Sequence, residues 1–272
     1  MFFSEDQLEQ YSRQFVLREI GVAGQKQLLQ SKVLVIGAGA LGSSALLYLA
    51  AAGVGTIGIA DYDRVERSNL HRQVIHGTES IGMEKVLSAK QAIEARNPDV
   101  TVVPHLHKIT VDNIQSIIGD YDIILDCTDR FETKFLINDA CVLSQKPYVH
   151  GGAVRFEGQV MTYLPGQGPC LRCLLEQVPP REETAYCSEV GVLGAVTGVI
   201  GSVQALEAVK HLVDIGELLV GKVLRFDGLQ MEMRVSKMPH ADPECGVCGN
   251  HPTITALAEN RAEYDTENGC RP

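Results

Sequence analysis

The chain has 272 residues, of which 45% are hydrophobic and 21% charged, and its formal net charge is −10. That length suits one large domain or two small ones. The acidic balance argues against a nucleic-acid surface or an anionic membrane surface, since both require a basic partner. The first 20 residues carry charges throughout, unlike a secretion signal. We therefore expect a cytoplasmic protein with no nucleic-acid and no membrane partner.

The chain begins with a predicted helix. Ser4 and Gln7 have the spacing of a capping box. Four apolar residues then recur at helical spacing and predict one buried stripe: Leu8, Tyr11, Phe15 and Ile20. Arg13 lies off this stripe, so spacing alone predicts a solvated charge.

The next stretch has the order of a nucleotide-binding βαβ unit. The apolar run Val33–Ile36 is followed by GAGALG, a small-residue segment and a second apolar run, Thr56–Ala60. The stretch carries no charge, but its glycines divide it into pieces too short to span a membrane.

Each of the three glycines of GAGALG has a predicted function. Gly37 permits a tight turn, Gly39 lets a phosphate approach backbone N–H groups, and Gly42 allows close packing of helix on strand. Asp61 follows the second run, where a carboxylate can accept hydrogen bonds from ribose hydroxyls. We interpret the unit as a nucleotide site. The alternative is a glycine turn in an ordinary α/β sheet.

Helices and strands then alternate as far as residue 149 and predict a mainly parallel sheet. The predicted helices are Gly82–Arg96, Thr110–Ile118 with Thr110 as its cap, and Glu132–Ser144. The predicted strands are Val100–Pro104, Ile123–Asp126 and Pro147–Val149.

The pattern changes after residue 150. Val154–Tyr163 alternates around Glu157-Gly158 like a hairpin, so we expect the sheet to continue with antiparallel strands. Val190–Leu212 predicts a helix that is apolar nearly all round and buried. Two further strands are predicted, Val223–Phe226 and Met231–Lys237. We expect a single domain over residues 1–250 and a mobile tail over 251–272.

Two CxxC pairs predict a metal site. Cys170 and Cys173 form one pair, and Cys245 and Cys248 form the other. Four thiolates suit one tetrahedral zinc ion, which leaves no open position and would be structural. The alternatives are independent free thiols or a thioredoxin-like redox pair.

Charged residues near strand exits favour ATP over NAD. A triphosphate recruits Arg or Lys together with Mg²⁺, whereas a glycine loop and helix dipole can hold a pyrophosphate alone. Arg72 and Lys85 follow the second strand of the unit, and Asp129 follows Ile123–Asp126. Taken singly, each is more commonly a surface charge.

Seven motifs in order resemble the ThiF/MoeB/HesA family, bacterial relatives of ubiquitin-activating enzymes: GAGALG, DYDRVERSNLHRQ, GMEK, DCTD, CLRC, GVLGAVTGVIGSVQALEAVK and CGVC. The match runs from about Tyr11 to Gly249. The resemblance implies a Rossmann-like ATP site in an α/β sheet and a homodimer with one zinc per subunit. It also implies that a small ubiquitin-like sulfur carrier protein ending in Gly-Gly is adenylated at its terminal glycine, with release of pyrophosphate.

The resemblance assigns site residues. It implies a ribose contact for Asp61, a Mg²⁺-linked acid at Asp129, and nucleotide or phosphate contacts for Asn69, Arg72, Gln73 and Lys85. Arg13 is implied to reach the ATP of the partner subunit. This role replaces the solvated charge that spacing alone predicts.

Cys187 matches the position of a thioester or acyl-disulfide cysteine in some members, although an inert free cysteine is the alternative. Ala40 stands where the family has glycine, and Arg130 replaces the commoner Asn. No rhodanese-like extension follows, so we expect a separate sulfur donor protein.

Two other functions remain open at this point. The glycine loop alone permits an NAD-dependent oxidoreductase, and the zinc and nucleotide motifs permit a non-catalytic scaffold. The motifs do not separate the thiamine thiazole pathway from the molybdopterin pathway.

Overall fold

The computed structural model describes residues 2–180, 190–238 and 240–265. These residues form one sheet from eight strands: β1 Lys32–Ile36, β2 Thr56–Ala60, β3 Thr101–His105, β4 Ile123–Asp126, β5 Tyr148–Val154, β6 Glu157–Tyr163, β7 Lys222–Asp227 and β8 Glu232–Lys237. Their order is β3-β2-β1-β4-β5-β6-β7-β8. Strands β1 to β5 pair in parallel, and β5 to β8 pair antiparallel. The predicted fold class, a mainly parallel sheet continued by antiparallel strands, is confirmed.

Helices cover both faces of the sheet. They are α1 Glu5–Gln10, α2 Ser12–Phe15, α3 Gly21–Gln30, α4 Ala40–Ala52, α5 Lys85–Arg96, α6 Ile114–Ile118, α7 Phe131–Leu143, α8 Gly194–Leu212 and α9 Arg261–Tyr264. One core packs α4, α5 and α8 on the sheet, with Leu46 and Ile200 among its buried residues. The other core joins α6 and α7 to the two CxxC loops. Among the described helices, none has the length and apolar character that a membrane span requires.

The N-terminal helix differs from its prediction. Ser4 and Gln7 form the expected capping box. The helix ends at Gln10, however, and two short helices follow, so the four apolar residues do not share one face. Tyr11 is fully buried and its hydroxyl accepts a hydrogen bond from Asn97, whereas Leu8 is 41% exposed.

The hairpin turns two residues earlier than predicted. Val154 pairs with Glu157, so the two loop residues are Arg155 and Phe156, and Arg155 has a φ of 52°. Gly158 lies inside β6, where an added Cβ would come within 2.3 Å of the Ile200 side chain. This glycine is therefore required by the close approach of α8 and does not form the turn.

Two other predictions are corrected by burial. Helix α8 is not buried all round, since Leu206 is 57% exposed. The segment from residue 251 to 265 is packed on the fold: Leu257 and Tyr264 are buried, and Glu263 forms an ion pair with Arg172 at 2.6 Å. Its apolar residues are too few to form a period, so the sequence alone indicated a tail. Residues 266–272 of the predicted tail lie outside the described residues.

Candidate active site

A cavity of about 760 Å³ lies at the carboxyl ends of β1, β2 and β4 and extends along β5 to β8. Ligands of open α/β sheets bind at this edge. Seven residues that the sequence predicted for the site line this cavity: Gly37, Gly39, Asp61, Arg72, Gln73, Lys85 and Asp129. Among the other predicted residues, neither Gly42, Asn69 nor Arg13 lines it.

The glycine loop has the shape that a phosphate site needs. Gly37 has a φ of 98°, and a Cβ there would lie 2.7 Å from the carbonyl oxygen of Cys127. A Cβ on Gly42 would lie 1.9 Å from the carbonyl oxygen of Gly37, so this glycine permits the tight return of α4. At Gly39 the nearest atom, Nε2 of Gln73, lies 3.6 Å from the Cβ position. Gly39 therefore leaves open the approach to the N-terminus of α4, where the helix dipole favours an anion.

A buried histidine supports the same loop from behind. His76 Nε2 lies 2.9 Å from the carbonyl oxygen of Ala38, and its Nδ1 lies 2.9 Å from the hydroxyl of Ser88. A carbonyl oxygen only accepts, so Nε2–H donates to it. Burial lowers the pKa of His76, so the ring stays neutral and Nδ1 accepts from Ser88. No motif in the sequence distinguishes His76 as a site residue.

Asp61 holds two backbone segments together. Its Oδ2 accepts a hydrogen bond from Ala38 N–H at 2.8 Å, and its Oδ1 accepts one from Asp63 N–H at 2.8 Å. Burial raises the pKa of Asp61, and the charge of Lys85 and these N–H groups oppose that rise. Lys85 Nζ lies 2.9 Å from Asp63 Oδ2 and is largely buried at the start of α5. A positive charge is thus fixed beside the end of β2.

The DYDRVERSNLHRQ motif places an arginine and a glutamine at the cavity. Arg72 is half-buried, and its Nη1 donates to the carbonyl oxygen of Ser68 at 3.1 Å. Gln73 is buried, and no described residue hydrogen-bonds its Oε1. Asn69 is buried outside the cavity, where its Oδ1 accepts from Glu66 N–H at 3.1 Å and caps the turn.

The exit of β4 is built on a buried charge cluster. Asp126 accepts hydrogen bonds from the backbone N–H and the hydroxyl of Thr128, from Lys134 Nζ, and from His150 Nδ1 at 2.8 Å. Burial alone would raise the pKa of Asp126. The charge of Lys134 and the hydrogen bonds from His150 and Thr128 outweigh it and hold that pKa well below its usual range. Asp126 is therefore ionised, and it fixes the loop that follows it.

That loop presents Asp129 to the cavity. Asp129 is exposed, and no described residue forms an ion pair with it. The next residue, Arg130, lies 3.6 Å from a carboxylate oxygen of Glu132 and hydrogen-bonds Tyr62. A carboxylate that faces a cavity and forms no ion pair with a described side chain fits a divalent metal ion such as Mg²⁺.

The far wall of the cavity comes from the antiparallel strands. Cross-strand pairing aligns two rows on the cavity side: Gly152, Gln159, Arg225 and Arg234, and next to it Val154, Glu157, Asp227 and Glu232. These polar rows give the cavity a second half, away from the glycine loop. The sequence predicted a strand over Met231–Lys237 but not which of its faces meets a site.

Two predicted residues lie elsewhere. Arg13 is exposed on α2, outside the cavity of its own chain. Cys187 lies outside the described residues.

The four cysteines of the CxxC pairs come together beneath the sheet. Their sulfur atoms all lie within 4.8 Å of one another, and the Cys170–Cys245 and Cys173–Cys248 pairs are 3.7 and 3.4 Å apart. A disulfide requires about 2.05 Å. Tetrahedral zinc with bonds of about 2.3 Å places its sulfur ligands about 3.8 Å apart. The cluster therefore fits one tetrahedral metal ion.

Comparisons with known proteins match nearly the whole chain. The sequence model of the ThiF family matches residues 11–247. The "Adenylyltransferase and sulfurtransferase MOCS3" of Anopheles gambiae is 45% identical over 256 residues, which are 94% of this chain and 58% of that protein. The protein of the same name from Aedes aegypti is 46% identical over 94% of this chain and 59% of its own length. The chain thus spans under two thirds of the length of these relatives.

Solved structures show the same fold. E. coli MccB with ATP superposes with a TM-score of 0.76 at 24% identity, covering 91% of this chain and 75% of that one. E. coli MccB with MccA-N7isoASN has a TM-score of 0.77 at 24% identity, with 91% and 76% covered.

Proposed function

The chain belongs to the ThiF family, and from that membership we propose that it adenylates the C-terminal glycine carboxylate of a small ubiquitin-like sulfur carrier protein ending in Gly-Gly. ATP is the second substrate and pyrophosphate is released. The observation that carries the proposal is the continuous cavity, which joins a phosphate-binding glycine loop to a polar wall on β6 to β8. The first half suits a nucleotide and the second half suits an extended peptide. The names of the curated relatives support the same activity.

In the nucleotide half of the cavity, the predicted residues contact different parts of ATP. The backbone at Gly37 and Gly39 receives phosphate oxygens at the start of α4. Asp61 receives the ribose hydroxyls with its remaining lone pairs, and Arg72 and Lys85 contact the phosphates. For Gln73 we propose a nucleotide contact through its unpaired Oε1.

Asn69 has a different role from the phosphate contact that the resemblance implies. Its side-chain amide oxygen caps the turn. Its backbone carbonyl oxygen accepts hydrogen bonds from the backbone N–H groups of Arg72 and Gln73. We propose that it positions these two residues.

The reaction needs little covalent help from the protein. The carrier carboxylate is already ionised at neutral pH, so its attack on the α-phosphate requires no general base. Arg72 and Lys85 stabilise the charge that develops on the departing pyrophosphate, and the cavity walls supply positioning. Asp129 would hold Mg²⁺, which when bound supplies further positive charge beside the phosphates.

A homodimer completes the site in this proposal. Arg13 lies outside the cavity of its own chain, which supports action on the ATP of a second copy. A surface between α4 and α8 exposes Tyr48 by 61%, Val74 by 62% and Leu206 by 57%, and an apolar patch of this kind suits a subunit contact.

The four cysteines would hold a structural Zn²⁺. The ion would connect the loop after β6 to the loop after β8, both of which continue from strands that line the cavity. With all four positions occupied by sulfur, the ion would stabilise the fold and take no part in the reaction.

The test is ATP–pyrophosphate exchange with purified carriers of the thiamine and molybdopterin pathways. We expect exchange that depends on one of these carriers and on Mg²⁺, and the active carrier identifies the pathway. Absence of exchange with every carrier, together with turnover of NADH, would establish the oxidoreductase alternative instead. Nucleotide binding without any turnover would establish the scaffold alternative.

Asp129 supplies a sharper test of the chemistry. Asp129→Ala should lower exchange at least about a hundredfold, because charge stabilisation by the metal is worth several kcal/mol in the transition state. ATP affinity should fall much less. Asp129→Asn should behave almost as badly, whereas a helix-capping role predicts that Asn is tolerated and that Ala mainly lowers stability. Near-normal exchange by Asp129→Asn with unchanged Mg²⁺ dependence contradicts the metal role.

A further inference from the structure

His150 has a fixed orientation beside the cavity. It lies on β5 directly opposite Asp126 of β4, and its side chain is only 4% exposed. Its Nδ1 lies 2.8 Å from Asp126 Oδ2. This contact and the tight packing around it determine which way the other ring nitrogen points. Gly151, the next residue, has no room for a side chain because Gln204 occupies the position of its Cβ.

The hydrogen bond to Asp126 also determines the tautomer. An ionised carboxylate can only accept, so Nδ1 of His150 carries the hydrogen. Burial, and then the charge of Lys134, lower the pKa of His150, while Asp126 opposes them. The neutral ring therefore has its lone pair on Nε2. No described residue hydrogen-bonds this nitrogen.

Nε2 of His150 faces a bare strip of backbone at the cavity. A Cβ on Gly152 would lie 3.9 Å from this nitrogen and 3.8 Å from Nε2 of Gln159 on β6. Because Gly152 has no Cβ, another backbone can approach between an acceptor, His150, and a donor, Gln159. An extended peptide presents N–H and C=O groups in alternation, which matches this pair.

The strip lies on the peptide side of the cavity. The strand order places β5 two strands beyond the glycine loop of β1, on the side away from β2 and Asp61. Neighbouring strands are about 4.8 Å apart, so His150 lies about 14 Å across the sheet from β2. A lone pair also repels phosphate and carboxylate oxygens, so it suits an N–H donor.

We propose that His150 Nε2 accepts a hydrogen bond from a backbone N–H of the carrier's terminal Gly-Gly segment while Gln159 donates to a nearby carbonyl oxygen. His150 is then a specificity-determining residue that selects an unsubstituted peptide amide. The glycines of the carrier match the bare backbone at Gly152, since neither partner has a side chain to keep the two backbones apart. This inference rests on the function proposed above.

The test compares two substitutions with a chemical change in the carrier. His150→Asn keeps an N–H donor for Asp126 but removes the acceptor at the position of Nε2. His150→Ala removes both the donor and the acceptor. In addition, each terminal glycine amide of the carrier is replaced in turn by an ester, which deletes one N–H. The kcat/KM for the carrier, the KM for ATP and the melting temperature are measured for every combination. His211→Asn is the matched control, because His211 does not line the cavity.

We expect His150→Asn to lower the kcat/KM for the carrier roughly three- to tenfold, the effect of one lost hydrogen bond. The KM for ATP should stay unchanged, while the melting temperature should fall, because the smaller Asn leaves part of the tightly packed volume of His150 empty. One ester carrier should show the same loss with the unmodified protein and no additional loss with His150→Asn. His211→Asn should behave like the unmodified protein.

Three results overturn the inference. An unchanged kcat/KM for the carrier in His150→Asn, with a lower value only in His150→Ala, would show that the histidine interacts with Asp126 alone. Independent, multiplying losses from the ester and the substitution would show that the two groups do not meet. If the unmodified protein supports no exchange with any carrier, the proposed function fails first and the subsite fails with it.

Discussion

The buried pair of Lys134 and Asp126 permits a prediction of magnitude. Lys134 Nζ lies 3.2 Å from Asp126 Oδ2 and donates to the carbonyl oxygen of Gly151 at 2.6 Å. The two side chains are 6% and 1% exposed. Lys134→Met keeps the length of the side chain and removes the charge, so Asp126 remains buried with its negative charge uncompensated.

Removing one partner of a buried ion pair costs about 3–5 kcal/mol of unfolding free energy. An exposed pair is worth only about 0.2–1 kcal/mol. The chain offers such a pair as a control, because Lys90 and Glu94 lie 3.6 Å apart with side chains 36% and 48% exposed. We therefore expect Lys134→Met to be several times more destabilising than Lys90→Met.

The assay is urea denaturation of both variants at pH 8 and at pH 5. Lys134 lowers the pKa of His150, so its removal lets that pKa rise. The folded variant then binds more protons than the unmodified protein as pH falls. The loss of unfolding free energy in Lys134→Met, relative to the unmodified protein, should accordingly be smaller at pH 5 than at pH 8. The pKa of Asp126 is lower in the folded protein than in the unfolded chain. Asp126 therefore contributes stability at pH values above its unfolded-state pKa, and this contribution is lost only as pH falls toward its folded-state pKa.

A loss below about 1 kcal/mol for Lys134→Met would refute the reasoning, because it would equal the exposed control. A second check is the double variant Asp126→Asn with Lys134→Met. If the two charges interact as the distances indicate, the double variant should lose less than the sum of the single variants. If the losses of unfolding free energy in the two single variants simply add in the double variant, the two charges do not interact.

Three further predictions follow from the proposed site. Serine at any one of the four CxxC cysteines should lower both metal content and melting temperature, and full metal loss with unchanged melting would exclude a structural zinc. Mixing Arg13→Ala subunits with Arg72→Ala subunits should restore part of the exchange activity, because one hybrid site contains both arginines. Recovery no better than either variant, in a sample shown to contain heterodimers, would indicate action within one subunit. Cys187→Ala should retain pyrophosphate exchange, since attack by a carboxylate involves no thiol, and loss of exchange in the folded variant would contradict this.

Local patterns predicted the nucleotide half of the fold. The βαβ unit is recognisable because strand, glycine turn and helix are adjacent in the chain, so the short-range order carries the geometry. Gly37, Gly39 and Asp61 then line one cavity because the carboxyl ends of parallel strands lie at a common edge. The cysteine pairs were predictable for a related reason, since each CxxC already presents two sulfur atoms at short spacing.

Pairings between distant segments determined the rest. The predicted strand Pro147–Val149 ended before His150, but β5 continues to Val154 because β6 pairs with it along its whole length. Gly158 resembled a turn residue until the position of α8 showed why a side chain is excluded there. Neither observation is available from one segment alone.

The sequence by itself thus determined the fold class, the glycine loop and the candidate metal ligands, because these depend on neighbouring residues and on strand order. Only the tertiary structure showed that Lys134 and His150 surround Asp126, or that residues 251 to 265 pack against the CxxC loops. The physical reason is burial. A charge or a ring nitrogen acquires its protonation state and its partner from groups far away in the chain, and periodicity does not encode those groups.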